Sequence, residues 1–185
     1  MKTMLLDLSE IVVRQGMRVH VDVDQPGVED PDLVFQDPLR GRLTFEHGGD
    51  VLSIHGRLHT RLNVACARCL ADVDYPLDMA VEEHFPIEDV LHPSRPRAAH
   101  EEWETQVSSV VYLEQGRPIL DLDEMMRQLL ISEIPIQVLC REDCAGLCPQ
   151  CGANRNLSVC ACREEPFTAP LKGLAALLHI DEDRA

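Results

Sequence analysis

The chain has 185 residues, 45% hydrophobic and only 4% aromatic, with 32 Asp and Glu against 17 Lys and Arg and a formal net charge of −15 at pH 7. That length allows one domain with a small appendage, or two modest domains. No apolar run approaches the ~20 residues of a membrane span, and the acidic stretch from Met4 to Glu10 lacks the shape of a secretory signal, so a cytoplasmic protein with no membrane partner is expected.

Residues 17–24 alternate apolar Met17, Val19, Val21 and Val23 with polar Arg18, His20, Asp22 and Asp24, which predicts a half-buried strand. After a Pro- and Asp-rich stretch, residues 40–47 form a second predicted strand, with Leu43 and Phe45 on one side and Gly48-Gly49-Asp50 as the following turn. Residues 51–65 give the clearest strand. Leu52, Ile54, Leu58, Leu62 and Val64 share one face, and Ser53, His55, Arg57, His59, Arg61 and Asn63 share the other. Residues 73–81 repeat the pattern through Val73, Tyr75, Leu77, Met79 and Val81, with Asp72, Asp74, Asp78 and Glu82 opposite. The expected product is an antiparallel sheet with one solvated face.

Cys66-Ala67-Arg68-Cys69 forms the turn between the last two of these strands. A hairpin symmetric about that turn sets Arg61 near Asp74 and Arg57 near Asp78, a ladder of opposite charges worth about a few tenths of a kcal/mol per pair. The same face has a second possible use, as an RNA-facing stripe of His55, Arg57, His59 and Arg61, with Arg68 in the turn. Residues 36–70 carry five arginines against three carboxylates. The chain as a whole repels phosphate unless such a local basic face dominates within a Debye length of ~8–10 Å.

Residues 86–102 include Pro86, Pro93 and Arg95-Pro96-Arg97 and predict a flexible excursion. Residues 107–113 and 118–120 flank Glu114-Gln115-Gly116-Arg117 as a hairpin. Asp121 then opens a helix, with Glu124 three residues on as in a capping box. Leu122, Met125, Met126, Leu129 and Leu130 form its apolar stripe for packing on the sheet, and Pro135 stops it. Residues 168–180 predict a last amphipathic helix through Leu171, Leu174, Ala175 and Leu178, either a docked tail or a partner-binding element. The expected fold is α+β. An antiparallel sheet with a packed helix spans residues 1–139, and a cysteine-rich, zinc-ribbon-like knuckle segment with the last helix spans 140–185.

The cysteines carry the strongest chemical signal. Cys148-Pro149-Gln150-Cys151-Gly152 puts two sulfurs on one tight turn, with Gly152 where the chain must adopt backbone angles that only glycine reaches freely. Cys160 and Cys162 complete a set of four by proximity, which leaves Cys66, Cys69, Cys140 and Cys144 as a second set. Four thiolates are a tetrahedral zinc set, and these short spacings favour two metal sites over four disulfides. Two structural zinc ions are expected, each able to contribute ~10–16 kcal/mol to ordering a small segment. A site filled by sulfur leaves no open position for water, as catalytic zinc requires.

Other cysteine chemistries fit less well. Cys144-x3-Cys148-x2-Cys151 matches the spacing of radical S-adenosylmethionine iron–sulfur sites, but 34 residues follow Cys151 where a barrel of roughly 200 is needed. Iron bound without catalysis would colour the protein. A redox-switched zinc chaperone, whose cysteines release metal on oxidation, is the main alternative from another functional class. There is no nucleophile elbow, no His-Glu-x-x-His pair and no Gly-rich phosphate loop, so neither an enzyme nor a small-molecule substrate is expected.

Two stretches resemble one family. Val64-Ala65-Cys66-Ala67-Arg68-Cys69-Leu70 is similar to its central Cys-x-Arg-Cys-Leu motif. Gly146-Leu147-Cys148-Pro149, Cys151-Gly152 and Asn154-x-Asn156-Leu157 are similar to its second half. The chain thus resembles the YceD-like family of large ribosomal RNA subunit accumulation proteins over most of its length. The resemblance implies a cytoplasmic, non-enzymatic factor that supports accumulation or processing of large-subunit (23S) rRNA. Its partner would be that rRNA, or a basic ribosomal protein or assembly factor whose charge complements the acidic chain.

Overall fold

The computed structural model describes residues 3–93 and 110–162. The alternation in the sequence becomes a four-stranded antiparallel sheet in the order β2-β3-β4-β5, made of β2 (Arg18–Gln25), β3 (Val34–His47), β4 (Val51–Ala65) and β5 (Asp72–Pro86). A smaller antiparallel sheet joins β1 (Leu5–Asp7), β7 (Arg117–Asp121) and β6 (Val111–Glu114), in the order β1-β7-β6. Short helices α1 (Ser9–Val13) and α2 (Ile87–Leu91) and a longer helix α3 (Leu122–Glu133) complete the described elements. No helix among the described residues is long and apolar enough to cross a membrane.

One apolar core joins the two sheets and α3. It contains Leu43 and Phe45 of β3, Leu52, Ile54, Leu58 and Leu62 of β4, and Leu77, Met79 and Val81 of β5. Leu120 of β7 and Leu122, Met125, Met126 and Leu130 of α3 complete its other side. The side chain of Asp121 accepts from the Glu124 N–H at 3.0 Å, the N-cap its position predicts. The Glu124 carboxylate turns to Arg127 and Gln128 instead of back to the cap, and Arg127 reaches on to Asp30 at 3.2 Å. Asp123 receives the Met4 N–H and the Gln25 amide, each at 3.0 Å, so the start of α3 pins β1 and β2.

Three expectations shift. The second strand begins at Val34 and not near residue 40, because two register shifts around Asp37 let the Pro38 region stay in the sheet. The β4–β5 register lies two residues from the symmetric hairpin: Asp74 faces Asn63 and Ala80 faces Arg57. The cause is local. The turn runs on through Leu70, held at φ 59°, and closes with the Cys66 N–H on the Ala71 carbonyl, so it is longer than the cysteine pair alone. The excursion expected from residue 86 opens with α2, and its residues 94–102 lie outside the described residues, as do residues 107–109 of the predicted hairpin. The predicted helix at 168–180 lies outside them too.

β1 and α1 carried no sequence signal. His47 is buried, its ring nitrogens 2.9 Å from the Ile11 carbonyl and 2.6 Å from the Gly49 carbonyl, and so ties α1 to the sheet. Beyond α3 the described chain holds turns and one isolated antiparallel bridge, Leu147 to Asn154, without paired ribbon strands.

Candidate metal centres

The eight cysteines gather into two groups of four. Cys66, Cys69, Cys140 and Cys144 form the first cluster, and Cys148, Cys151, Cys160 and Cys162 the second, with every sulfur in a group within 4.8 Å of the others. In the first cluster Cys66 and Cys144 lie 3.8 Å apart and Cys69 and Cys140 3.7 Å apart. A tetrahedral thiolate site with metal–sulfur bonds of about 2.3 Å needs an edge of about 3.8 Å. A disulfide needs about 2.05 Å, so the spacing suits an ion at the centre and not a bond between the sulfurs.

Several main-chain contacts bring the first cluster together. The Ala67 N–H donates to the Val138 carbonyl at 2.8 Å, and the Leu147 N–H to the Arg68 carbonyl at 2.9 Å. The cysteine turn is thereby clamped between the segment after α3 and the link to the second cluster. Cys66, Cys69 and Cys144 are buried and pack with Val73, Leu139 and Leu147. The cluster takes two ligands from each side of residue 139. In the second cluster, the Gly152 N–H returns to the Cys148 carbonyl at 2.9 Å with Gly152 at φ 71°, the backbone reason for a glycine after Cys151.

The electrostatics of each group are compatible with a cation. Main-chain N–H groups of Cys140, Arg68 and Cys69 pull the Cys66 thiol down to about 6. The N–H groups of Cys151 and Gln150 do the same for Cys148. Withdrawal from water and then the sulfurs of Cys69, Cys144 and Cys66 push Cys140 up to about 12. Contact with the Cys151 sulfur, and then withdrawal from water, push Cys162 up to about 12. In each group one sulfur is favoured as a thiolate while another is held towards its protonated form. A bound dication removes that conflict, because it lets all four sulfurs carry charge.

The residues read as RNA-facing separate into two places. His55, Arg57, His59 and Arg61 share the exposed face of β4. Arg57 pairs with Asp78 at 3.2 Å, diagonally in the actual register, and Arg61 with Asp37 at 3.5 Å. On the same face Arg18 pairs with Glu46, Arg40 with Asp24 and Arg42 with Asp22. Arg68 stands apart, its guanidinium donating to the Cys144 carbonyl at 3.0 Å. Sequence reasoning missed Asn156, whose side-chain amide donates to Cys144 Sγ at 3.3 Å. The Asn154-x-Asn156 pair between two cysteines was its only signal.

Fold and site together define a class: an antiparallel-sheet α+β protein with two four-cysteine groups that could each hold a metal ion. The family model for large ribosomal RNA subunit accumulation protein YceD matches residues 54–178, which takes in both cysteine groups and most of the β4–β5 hairpin. The chain belongs to the YceD family. It is 36% identical over 132 residues to proteins of Mycobacterium tuberculosis and Mycobacterium bovis that carry the name uncharacterized protein, covering 71% of this chain and 54% of each relative. The chain thus spans about half the length of these curated relatives. It is also 38% identical over 58 residues to the maize large ribosomal RNA subunit accumulation protein YCED homolog 1, chloroplastic, which is 30% of this chain and 20% of the maize protein. No solved structure matches the chain.

Proposed function

We propose that this protein is a zinc-binding, non-enzymatic factor of large-subunit assembly, acting in the cytoplasm to support 23S rRNA accumulation by binding a basic ribosomal protein or assembly factor. The observation that carries this reading is the filling of both candidate centres by four sulfurs each, in a chain of the YceD family. Four sulfurs complete a tetrahedral ion, so no position remains for substrate or activated water. Zinc suits the donor set because it is redox-inert and takes thiolates tetrahedrally. In this reading residues 1–139 are the sheet body, and residues 140–185 are the zinc-dependent segment that completes its docking surface.

The choice of a basic protein over naked rRNA rests on charge. At −15 the chain repels phosphate at long range, and Arg57 and Arg61 are already paired with carboxylates. An acidic surface instead complements and steers a cationic partner. The rRNA-binding reading is favoured by the sharing of one exposed face by His55, Arg57, His59 and Arg61, and it makes a different prediction. Tagged protein is captured from cells with and without ribonuclease treatment, and 23S rRNA is quantified in a strain lacking the gene. Retention of a basic protein after RNA digestion, with reduced 23S rRNA in the deletion strain, is the expected result. Loss of every partner on digestion, with steeply salt-dependent binding, would favour direct rRNA contact. Normal 23S levels would overturn the assembly role.

A further inference from the structure

Asn156 lies between Cys151 and Cys160, two members of the second cluster. Its side chain nevertheless serves the first. Nδ2 donates to Cys144 Sγ at 3.3 Å, while Oδ1 accepts from Arg141 Nη2 at 2.7 Å and from the Ala145 N–H at 2.8 Å. The direction of the amide is unambiguous, because a guanidinium and a main-chain N–H can only donate, and so the oxygen must face them. Asn154 is oriented by the same logic. Its Oδ1 accepts the Asn156 main-chain N–H at 3.0 Å and the Asn156 Nδ2 at 2.9 Å. Asn154 thus holds the amide that faces the sulfur.

We propose that Asn156 is a positioning residue that couples the two centres: closing the second cluster around its ion delivers an N–H donor to Cys144 and so tightens the first cluster on its own ion. The proposal rests on the metal-binding reading above. The rest of the Asn156 stretch lies over the short link between the clusters, through the Arg155 N–H on the Gly146 carbonyl at 2.9 Å and the Cys148 N–H on the Ala153 carbonyl at 2.8 Å. Cys148, at the end of that link, is itself a ligand of the second cluster. Leu157 and Ser158 bond locally, to the Asn154 carbonyl, so among the described residues it is Cys160 in the second cluster that anchors the far end of the stretch. Donors to ligand atoms alter metal affinity by about 10- to 100-fold, and a coupling between two sites is reciprocal.

The test is a cycle of four full-length chains: wild type, Asn156→Ala, the Cys151→Ser/Cys160→Ser chain, and the combination. Zinc affinity of the first cluster is measured by competition with a chromophoric chelator. Its ion is identified by the cadmium NMR resonance that persists when Cys151 and Cys160 are serine. Asn156→Ala is expected to weaken the first cluster about tenfold while the second is intact, and to have no effect once the second is open. Equal effects in both backgrounds would mean that Asn156 only helps the segment fold, and would overturn the coupling. So would an unchanged affinity. Asn156→Asp keeps the acceptor for Arg141 and Ala145 but turns an oxygen towards the sulfur, so it should weaken the cluster at least as much, and it stands in if the alanine chain does not fold. A wild-type chain that takes up no zinc overturns both this proposal and the metal reading. Uptake of two ions with no response to Asn156 overturns the coupling alone.

Discussion

Arg68 donates its guanidinium N–H to the main-chain carbonyl of Cys144, 3.0 Å away and 76 residues further along the chain. A basic side chain in an exposed turn thus fastens the segment after α3 onto the β4–β5 hairpin. Hydrogen bonds to a charged donor contribute about 1.5–3 kcal/mol where water is excluded, and less at a partly open site such as this. Arg68→Ala should therefore cost about 1 kcal/mol in urea unfolding of the zinc-saturated chain. Arg68→Lys should recover part of it, since the bond comes from a single nitrogen and an ammonium can also donate to a carbonyl. An unchanged midpoint for Arg68→Ala would release Arg68 for another role.

The ladder on the sheet face behaves differently. Arg57 and Asp78 are 71% and 65% exposed as side chains, and pairs that open to water are worth about 0–1 kcal/mol. Arg57→Ala and Arg61→Ala should each shift stability by less than about 1 kcal/mol. Neither should reduce capture of the partner in the ribonuclease-treated pull-down. A lost partner in either variant would return that face to consideration as the binding surface.

Chelation should act on one region. On the proposed two-ion reading, withdrawing the ions removes the main tie on residues 140–162, while the core of Leu58, Phe45 and Met126 stays buried by its own packing. Limited proteolysis after chelator treatment should cut within 140–162 and spare the sheet. In Cys69→Ala the metal content should fall from two ions to one, measured by elemental analysis on anaerobically prepared protein. Complete loss of metal in that variant would mean that the clusters are not separable.

Arg127 donates through two nitrogens to Glu124 and, more than any other neighbour, holds its carboxyl below the ordinary 4.5. A carboxylate depressed in the folded state stabilises fully above its unfolded value and progressively less as pH falls through the folded one. Urea midpoints should therefore drop below pH 4.5 more steeply in the wild type than in Glu124→Gln. The difference between the chains isolates this carboxyl, since both carry the same cysteines. Parallel curves would count against the pair.

Gly56 faces Leu43 across β3 and β4, and a Cβ there would run into the Arg42 carbonyl. The two backbones cannot part without losing sheet hydrogen bonds. Gly56→Ala should cost about 1–3 kcal/mol, as overpacking does, and calorimetry would show it. A neutral result would mean that the strands separate there more easily than their register implies.

Much of this arrangement was legible in the sequence. Strict alternation in β4 identified which side chains enter the core, because a strand has only two faces, and Asp121 announced the start of α3. Proximity alone sorted the eight cysteines into the groups that the structure brings together. Register was harder. It depends on Leu70 adopting a left-handed conformation, which nothing in the order of residues advertises. β1 has three residues, too few for a period, and exists because β7 offers it an edge. Asn156 was visible only as one of two asparagines between cysteines, since its use depends on a sulfur twelve residues away.

The first cluster joins residues as far apart as Cys66 and Cys144, 78 positions along the chain. On a translating ribosome its opening half emerges long before its closing half, so Cys66 and Cys69 leave the exit tunnel as an incomplete chelate. Ion capture at that centre becomes possible only after Cys140 and Cys144 have followed. A nascent chain stalled before Cys140 would carry the hairpin without half of the cluster, so the sulfurs of Cys66 and Cys69 must wait for a segment made about seventy residues later.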